Sequence, residues 1–189
     1  MWLNLTRAEA ERRFAEWVAS EPERRQQLHA WVQRTGGPSL EPTLESLRPL
    51  NRWYLDRAVE AQEDPSTGRP PWAWEDNPDF VPVPGGPRAP SDALMRLWDL
   101  IAVHVGDAIR AQVPGAEWVC YRNGDRRDDR NGKPMMDIGW PTNPADVISL
   151  SNGGTPGVVC YGQAFDPDHL HDRVVIALEQ LANYRARQR

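Results

Sequence analysis

Residues 91–121 read SDALMRLWDLIAVHVGDAIRAQVPGAEWVCY, and the spacing of their apolar residues decides the fold. Leu94, Trp98, Ile101, Val105 and Ala108 recur at helical spacing, while Leu97, Leu100 and Ala102 widen the stripe beyond what one helix face needs. Only a narrow polar line remains: Asp92, Arg96, Asp99, Asp107 and Arg110. A helix with so little polar surface must be covered on two sides. The expectation is a central buried helix over 91–113, capped by Ser91, with N-terminal helices on one side and a sheet carrying Trp118 on the other. A glycine inside a helix costs roughly 1 kcal/mol against alanine, so Gly106 implies close approach of another backbone.

Upstream, Thr6-Arg7-Ala8-Glu9 is a capping box, in which the threonine hydroxyl and the glutamate carboxylate satisfy each other's backbone donors. It opens a first helix running to about Val18. Ser20-Glu21-Pro22-Glu23 has the same form with proline in the first turn, so a second helix carrying Leu28, Trp31 and Val32 follows at once. Gly36-Gly37-Pro38 ends this helical hairpin. A third helix, beginning near Thr43 or Ser46 and irregular at Pro49, presents Leu47, Leu50, Tyr54, Ala58 and Ala61 and ends by Glu63. Residues 64–90 contain eight prolines but also Trp72, Trp74, Phe80, Val81 and Val83. That apolar content is too high for a disordered linker, so the stretch reads as an ordered, extended strap whose tryptophans plug the core or form a surface platform.

Downstream, 117–122 and 135–140 read as paired strands around the hairpin signal Asn131-Gly132. Asn143-Pro144 can open a short helix, whereas Val147-Ile148-Ser149-Leu150 fits a strand equally well, and both readings stand. Residues 157–161 read as a strand. Asp166-Pro167 caps a final helix with a buried stripe of Leu170, Val174, Leu178 and Leu181, closed by Arg185, Arg187 and Arg189 at the negative end of its dipole. The predicted class is α+β: one domain over 1–189, with a helical layer (1–63), the strap (64–90) and an α/β core (91–189) holding a central buried helix, a small mostly antiparallel sheet and a C-terminal helix.

The chain has 189 residues and a formal net charge of −5, with both signs interleaved. That pattern disfavours nucleic acid and suits a basic protein partner. Of the 22 basic residues, 21 are arginine, which points to a GC-rich bacterial genome rather than to a function. The two cysteines, Cys120 and Cys160, lie in apolar runs and form no disulfide framework. The first residues lack the basic flank and apolar core of a signal peptide, and Arg96, Asp99, His104 and Asp107 interrupt the longest apolar segment, so neither export nor a membrane span is expected. The expected location is cytoplasmic.

Candidate chemistry is sparse. In the loop 125–133, Asp129, Asn131 and Gly132 match three positions of a calcium-binding hand, but Arg127 and Ile138 stand where its first and last carboxylates belong, and neighbouring basic residues repel a cation. The loop therefore reads as a charged hairpin tip that can dock a partner. Asp168, His169, His171 and Asp172 are suitable ligand types for zinc or iron. On a helix, however, residues two apart point roughly 200° from each other, and no metal is assigned. His104 reads as a hydrogen-bonded structural group; a nucleophile pair with Cys120 or Cys160 lacks an orienting third residue. There is no nucleophile elbow, zinc-protease motif or phosphate loop, and no cofactor is expected.

Thr35-Gly36-Gly37-Pro38, Ser46-Leu47-Arg48-Pro49-Leu50 with Trp53, Gly106-Asp107, and Pro114-Gly115-Ala116-Glu117-Trp118 together resemble small uncharacterised proteins of GC-rich bacteria, some similar to immunity proteins that neutralise polymorphic toxins. The resemblance implies an α/β binding protein without a catalytic centre. The expected function is thus a non-catalytic intracellular protein-binding protein, such as an immunity protein neutralising a basic toxin. Its expected contacts are Trp72, Trp74, Asp125, Asp128, Asp129 and Arg130, because tryptophan, present nine times, anchors interfaces. The oligomeric state is open. The rival readings are a small metal- or Cys/His-dependent enzyme using His169 and His171 or His104, and a ligand-binding module with Trp72 and Trp74 lining a pocket.

Overall fold

The computed structural model describes residues 5–64, 90–125, 128, 130–140, 143–152, 154–164 and 166–188. Trp72, Trp74 and the rest of 65–89, together with Asp129, lie outside the described residues. In chain order the elements are α1 (Arg7–Ala19), α2 (Glu21–Arg34), α3 (Leu47–Glu63), α4 (Asp92–Gln112), β1 (Glu117–Cys120), β2 (Pro134–Asp137), α5 (Val147–Ser151), α6 (Thr155–Tyr161) and α7 (His169–Arg187). The class is α+β, with N-terminal helices, a central helix, one two-stranded antiparallel sheet and a C-terminal helix.

The predicted hub is α4. Ser91 caps it by accepting from the Leu94 N–H at 3.0 Å and donates to the Ala61 carbonyl at 2.7 Å, fastening its start to the end of α3. Both α2 and α3 pack on α4, and the short α5 covers a further flank. The polar line is only partly open to water. Asp99 is fully buried, and its Oδ1 accepts from Trp17 Nε1 at 2.8 Å and from Arg24 Nη1 at 2.9 Å. Arg24 also donates to the Trp17 carbonyl and lies 4.0 Å above the Trp17 ring. Closer to the surface, Arg25 bridges Glu21 and Asp107, and Arg110 reaches the same two carboxylates. Polar residues of α4 therefore dock α1 and α2 instead of solvating the helix.

Local signals along the N-terminal half divide instructively. The Thr6–Glu9 box forms as expected. The Ser20 box does not, because Ser20 alone joins α1 to α2 and has helical dihedrals (φ −82°, ψ −1°), so its hydroxyl donates back to the Trp17 carbonyl at 2.9 Å. Pro49 causes no irregularity: it lies in the first turn of α3, where a missing N–H costs no helical bond.

β1 pairs with β2 in the register Glu117–Asp137 through Cys120–Pro134, two shorter strands than expected. Asn131-Gly132 is not a two-residue turn; it closes a longer loop, with the Gly132 N–H on the Tyr121 carbonyl at 2.9 Å. Ala145 adds an isolated bridge to Met136. The open choice at 143–151 resolves as a helix, but its cap is Asp146 rather than Asn143. The strand expected at 157–161 is instead α6, bounded by Gly154 (φ +77°) and Gly162 (φ +63°), both left-handed. Its Thr155 is buried, accepting from Trp98 Nε1 at 2.8 Å beside the Tyr54 hydroxyl. The cap of α7 is Asp168 without a side-chain bond; Asp166 instead accepts from the Asp168 N–H at 3.1 Å.

The closest neighbours of Gly106 are side chains, not a backbone. A Cβ there would stand 2.8 Å from Trp118 Cζ2 and 3.1 Å from Met136 Cε, so the glycine lets the sheet settle on α4. Gly106→Ala should gain up to about 1 kcal/mol of helix propensity yet lose about 1–3 kcal/mol to overpacking against a rigid indole, for a net loss in urea denaturation. Shortening the ring with Trp118→Leu should shrink the penalty of the alanine. An alanine variant more stable than the parent would contradict this packing.

Candidate binding site

The described residues of the expected contact loop are joined through one carboxylate. Asp128 accepts from the Arg130 N–H at 3.0 Å, Arg130 Nε at 2.9 Å, Arg130 Nη2 at 2.7 Å, Asn123 Nδ2 at 2.9 Å and the Tyr121 hydroxyl at 3.2 Å. The Arg130 guanidinium lies 4.8 Å above the Tyr121 ring. The hydrogen bonds from Arg130, more than any other influence, hold the Asp128 carboxyl well below the usual carboxylate range. Asn131 completes the frame: its Oδ1 accepts from the Asn123 N–H at 2.6 Å and its Nδ2 donates to the Asp125 carbonyl at 2.8 Å. Of the residues read as partner contacts, Asp125, Asp128 and Arg130 are thus brought into one loop, with Asp128 and Arg130 joined as an internal clasp. Trp72, Trp74 and Asp129 lie outside the described residues.

Arg130 also reaches a cleft of about 310 Å³ between β2, α5 and α7. Met135, Ile138 and Leu150 give it an apolar lining, Trp140 one wall, and Arg173 a charged edge. Trp140 is immobilised by stacking on Tyr184, with ring centres 4.8 Å apart and planes 12° from parallel. Arg185 holds the preceding bend by donating to the Ile138 carbonyl at 2.9 Å.

The other described tryptophans are used by the core. Trp17 and Trp118 meet edge to face at 4.7 Å, Trp31 and Trp53 at 5.9 Å, and Trp98 is buried against Thr155. Their abundance reflects packing at these positions, as the apolar stripes carrying Trp31 and Trp98 predict.

The histidines are spread over separate surroundings. His169 rests against Gly154 with Nδ1 3.9 Å from Asp166, whereas His171 places Nδ1 2.7 Å from Asp172 and Nε2 3.4 Å from Arg48. Arg48 is also 3.0 Å from Asp168, so a guanidinium already stands among the carboxylates considered as metal ligands. Among the described residues no three histidine, cysteine or carboxylate groups converge on a metal position. Burial pushes both cysteine thiols up, away from the thiolate a nucleophile needs. Sequence reasoning missed Asn51, which is fully buried and donates to the Asp166 and Pro167 carbonyls, latching the start of α7 to α3.

No known family, curated protein or solved structure matches this chain.

His104 is 4% exposed, and its Nε2 is 3.0 Å from Ser46 Oγ. Because the Ser46 hydroxyl donates its only proton to the Thr43 carbonyl, it accepts from the imidazole, which fixes the Nε2–H tautomer. Burial, opposed by Asp107, lowers the His104 pKa to about 4. Above the unfolded value of about 6.5 neither state is protonated there, and stability is unaffected. As pH falls from about 6.5 to about 4, the unfolded chain takes up a proton that the folded one refuses, and stability declines by about 3 kcal/mol in total. Denaturation curves across this window should show the decline reduced by that amount in His104→Gln; equal pH profiles for parent and variant would contradict the assignment.

Proposed function

We propose that the chain is a non-catalytic protein-binding protein whose contact surface is the outer side of the loop between β1 and β2. The observation carrying this reading is the clasp on Asp128. Loop side chains already joined to one another in the free protein, as Tyr121, Asn123, Asp128 and Arg130 are, have less entropy to lose on association, which is how preorganised recognition elements gain affinity. The chemistry elsewhere supports binding over catalysis: His104 is sequestered beneath α3, the thiols are raised by burial, and His171 is engaged by Asp172 and Arg48.

The net charge of −5 favours encounter with a basic partner. The resemblance of its short motifs to immunity-like proteins favours a toxin as that partner, and a cytoplasmic location goes with this reading. Tagged protein expressed in its native host should co-purify a stoichiometric partner encoded beside its gene. Asp128→Ala, which removes the acceptor that orders the loop, should weaken that complex by about tenfold while leaving the melting of the helical core unchanged. Recovery of no stoichiometric partner, or equal binding by the variant, would defeat the proposal.

A further inference from the structure

The cleft behind the loop has a chemistry that partner binding leaves unused. Its volume of about 310 Å³ falls at the lower end of the range for small-molecule sites, about 300–1,000 Å³. Its lining is mixed, with seven apolar and six polar or charged residues. The space exists because Ala177 stands where a larger residue of α7 would fill it, and the same helix face presents Arg173 one turn before and Gln180 one turn after. The charges at the mouth are unequal in availability. Asp146 spends its two carboxylate oxygens on the Ser149 N–H and hydroxyl, and the charge of Arg130 is matched by Asp128. Arg173 is exposed and makes no ion pair or hydrogen bond among the described residues. The wall is a flat indole stacked on Tyr184.

We propose that this cleft binds a small aromatic carboxylate, with the carboxylate on the Arg173 guanidinium and the ring against Trp140 over Ile138 and Leu150. A planar carboxylate matches the guanidinium fork, and a planar ring gains offset or edge contact with the indole. An uncharged ring forfeits the first contact and an aliphatic acid the second. Gln180 adds a neutral donor and acceptor at the same mouth. The site is independent of the partner-binding reading, because none of the ligand's contacts requires the outer side of the loop.

The test is titration of the full chain with phenylacetate and indole-3-acetate, and with uncharged phenylacetamide as control, followed by proton–nitrogen correlation NMR. The acids should give saturable shifts at the Trp140 indole N–H and the Ala177 amide, and the amide should bind about tenfold or more weakly, the loss expected for one charge-assisted contact. Arg173→Met, a surface change, should weaken the acids by a similar factor and leave the amide unaffected. Ala177→Leu should abolish binding by filling the cleft without removing a polar group. Absence of saturable shifts at the cleft for both acids, equal binding of acid and amide, or undiminished binding by Arg173→Met would overturn the proposal. Asp128→Ala takes the matched carboxylate from Arg130 at the same mouth, so it should keep saturable binding of the acids, at equal or higher affinity, while the partner complex weakens; failure of the partner reading and failure of this site are thus seen separately.

Discussion

A carboxylate at the centre of the most apolar helix sets the terms for the rest of the fold. Asp99 is fully buried, and a buried charge is tolerated only when it is paired and hydrogen-bonded. Trp17 from α1 and Arg24 from α2 supply those bonds, so both helices must dock in one orientation on α4. Arg24 is itself 2% exposed, and burial lowers its pKa against the raising influence of Asp99. Each ion makes the other's burial possible, while the Trp17 ring under the guanidinium excludes water from both. The outer ring of Glu21, Arg25, Asp107 and Arg110 is more exposed, and its pairs contribute less each.

The same docking positions the loop and the cleft. Trp118 is pressed between the Trp17 ring and Gly106, so the sheet inherits its placement from the α1–α4 contact. β2 then carries Met135 and Ile138 into the cleft, and the bridge from Met136 to Ala145 brings α5 alongside. Asn51 and Arg48, both on α3, hold the opposite wall by fixing residues 166–168, which lead into α7. The loop clasp and the cleft thus both depend on elements docked on α4.

Much of this was legible in the sequence, for identifiable reasons. The hub helix, its cap at Ser91, the first capping box and the stripe of α7 are local patterns, and local patterns survive folding when packing agrees with them. Misreadings arose where a distant partner changed the meaning of a residue. Asp99 looks solvated on a helical wheel until Arg24, 75 positions away, is placed beside it. Val158 and Val159 favour a strand, but left-handed glycines on both sides and a buried Thr155 set a helical turn. At the candidate site, the density of charge in the loop could be read directly. Which carboxylate organises it could not, because nothing local in the sequence marks Asp128 as the one that Tyr121, Asn123 and Arg130 meet. The cleft had no sequence signal, since its walls come from three separated elements and its space from the smallness of Ala177.

The most direct measurement of the central claim is a double-mutant cycle on Arg24→Met and Asp99→Leu, followed by urea denaturation. Arg24→Met takes from Asp99 its nearest cation, leaving Arg96 3.6 Å from the other oxygen, and Asp99→Leu leaves the Arg24 guanidinium buried without that carboxylate; each should cost about 3–5 kcal/mol, whereas the double variant should lose clearly less than the sum, with a coupling of about 2 kcal/mol or more. Single losses below about 1 kcal/mol, or losses that simply add, would show that the helices find their places on α4 without this pair.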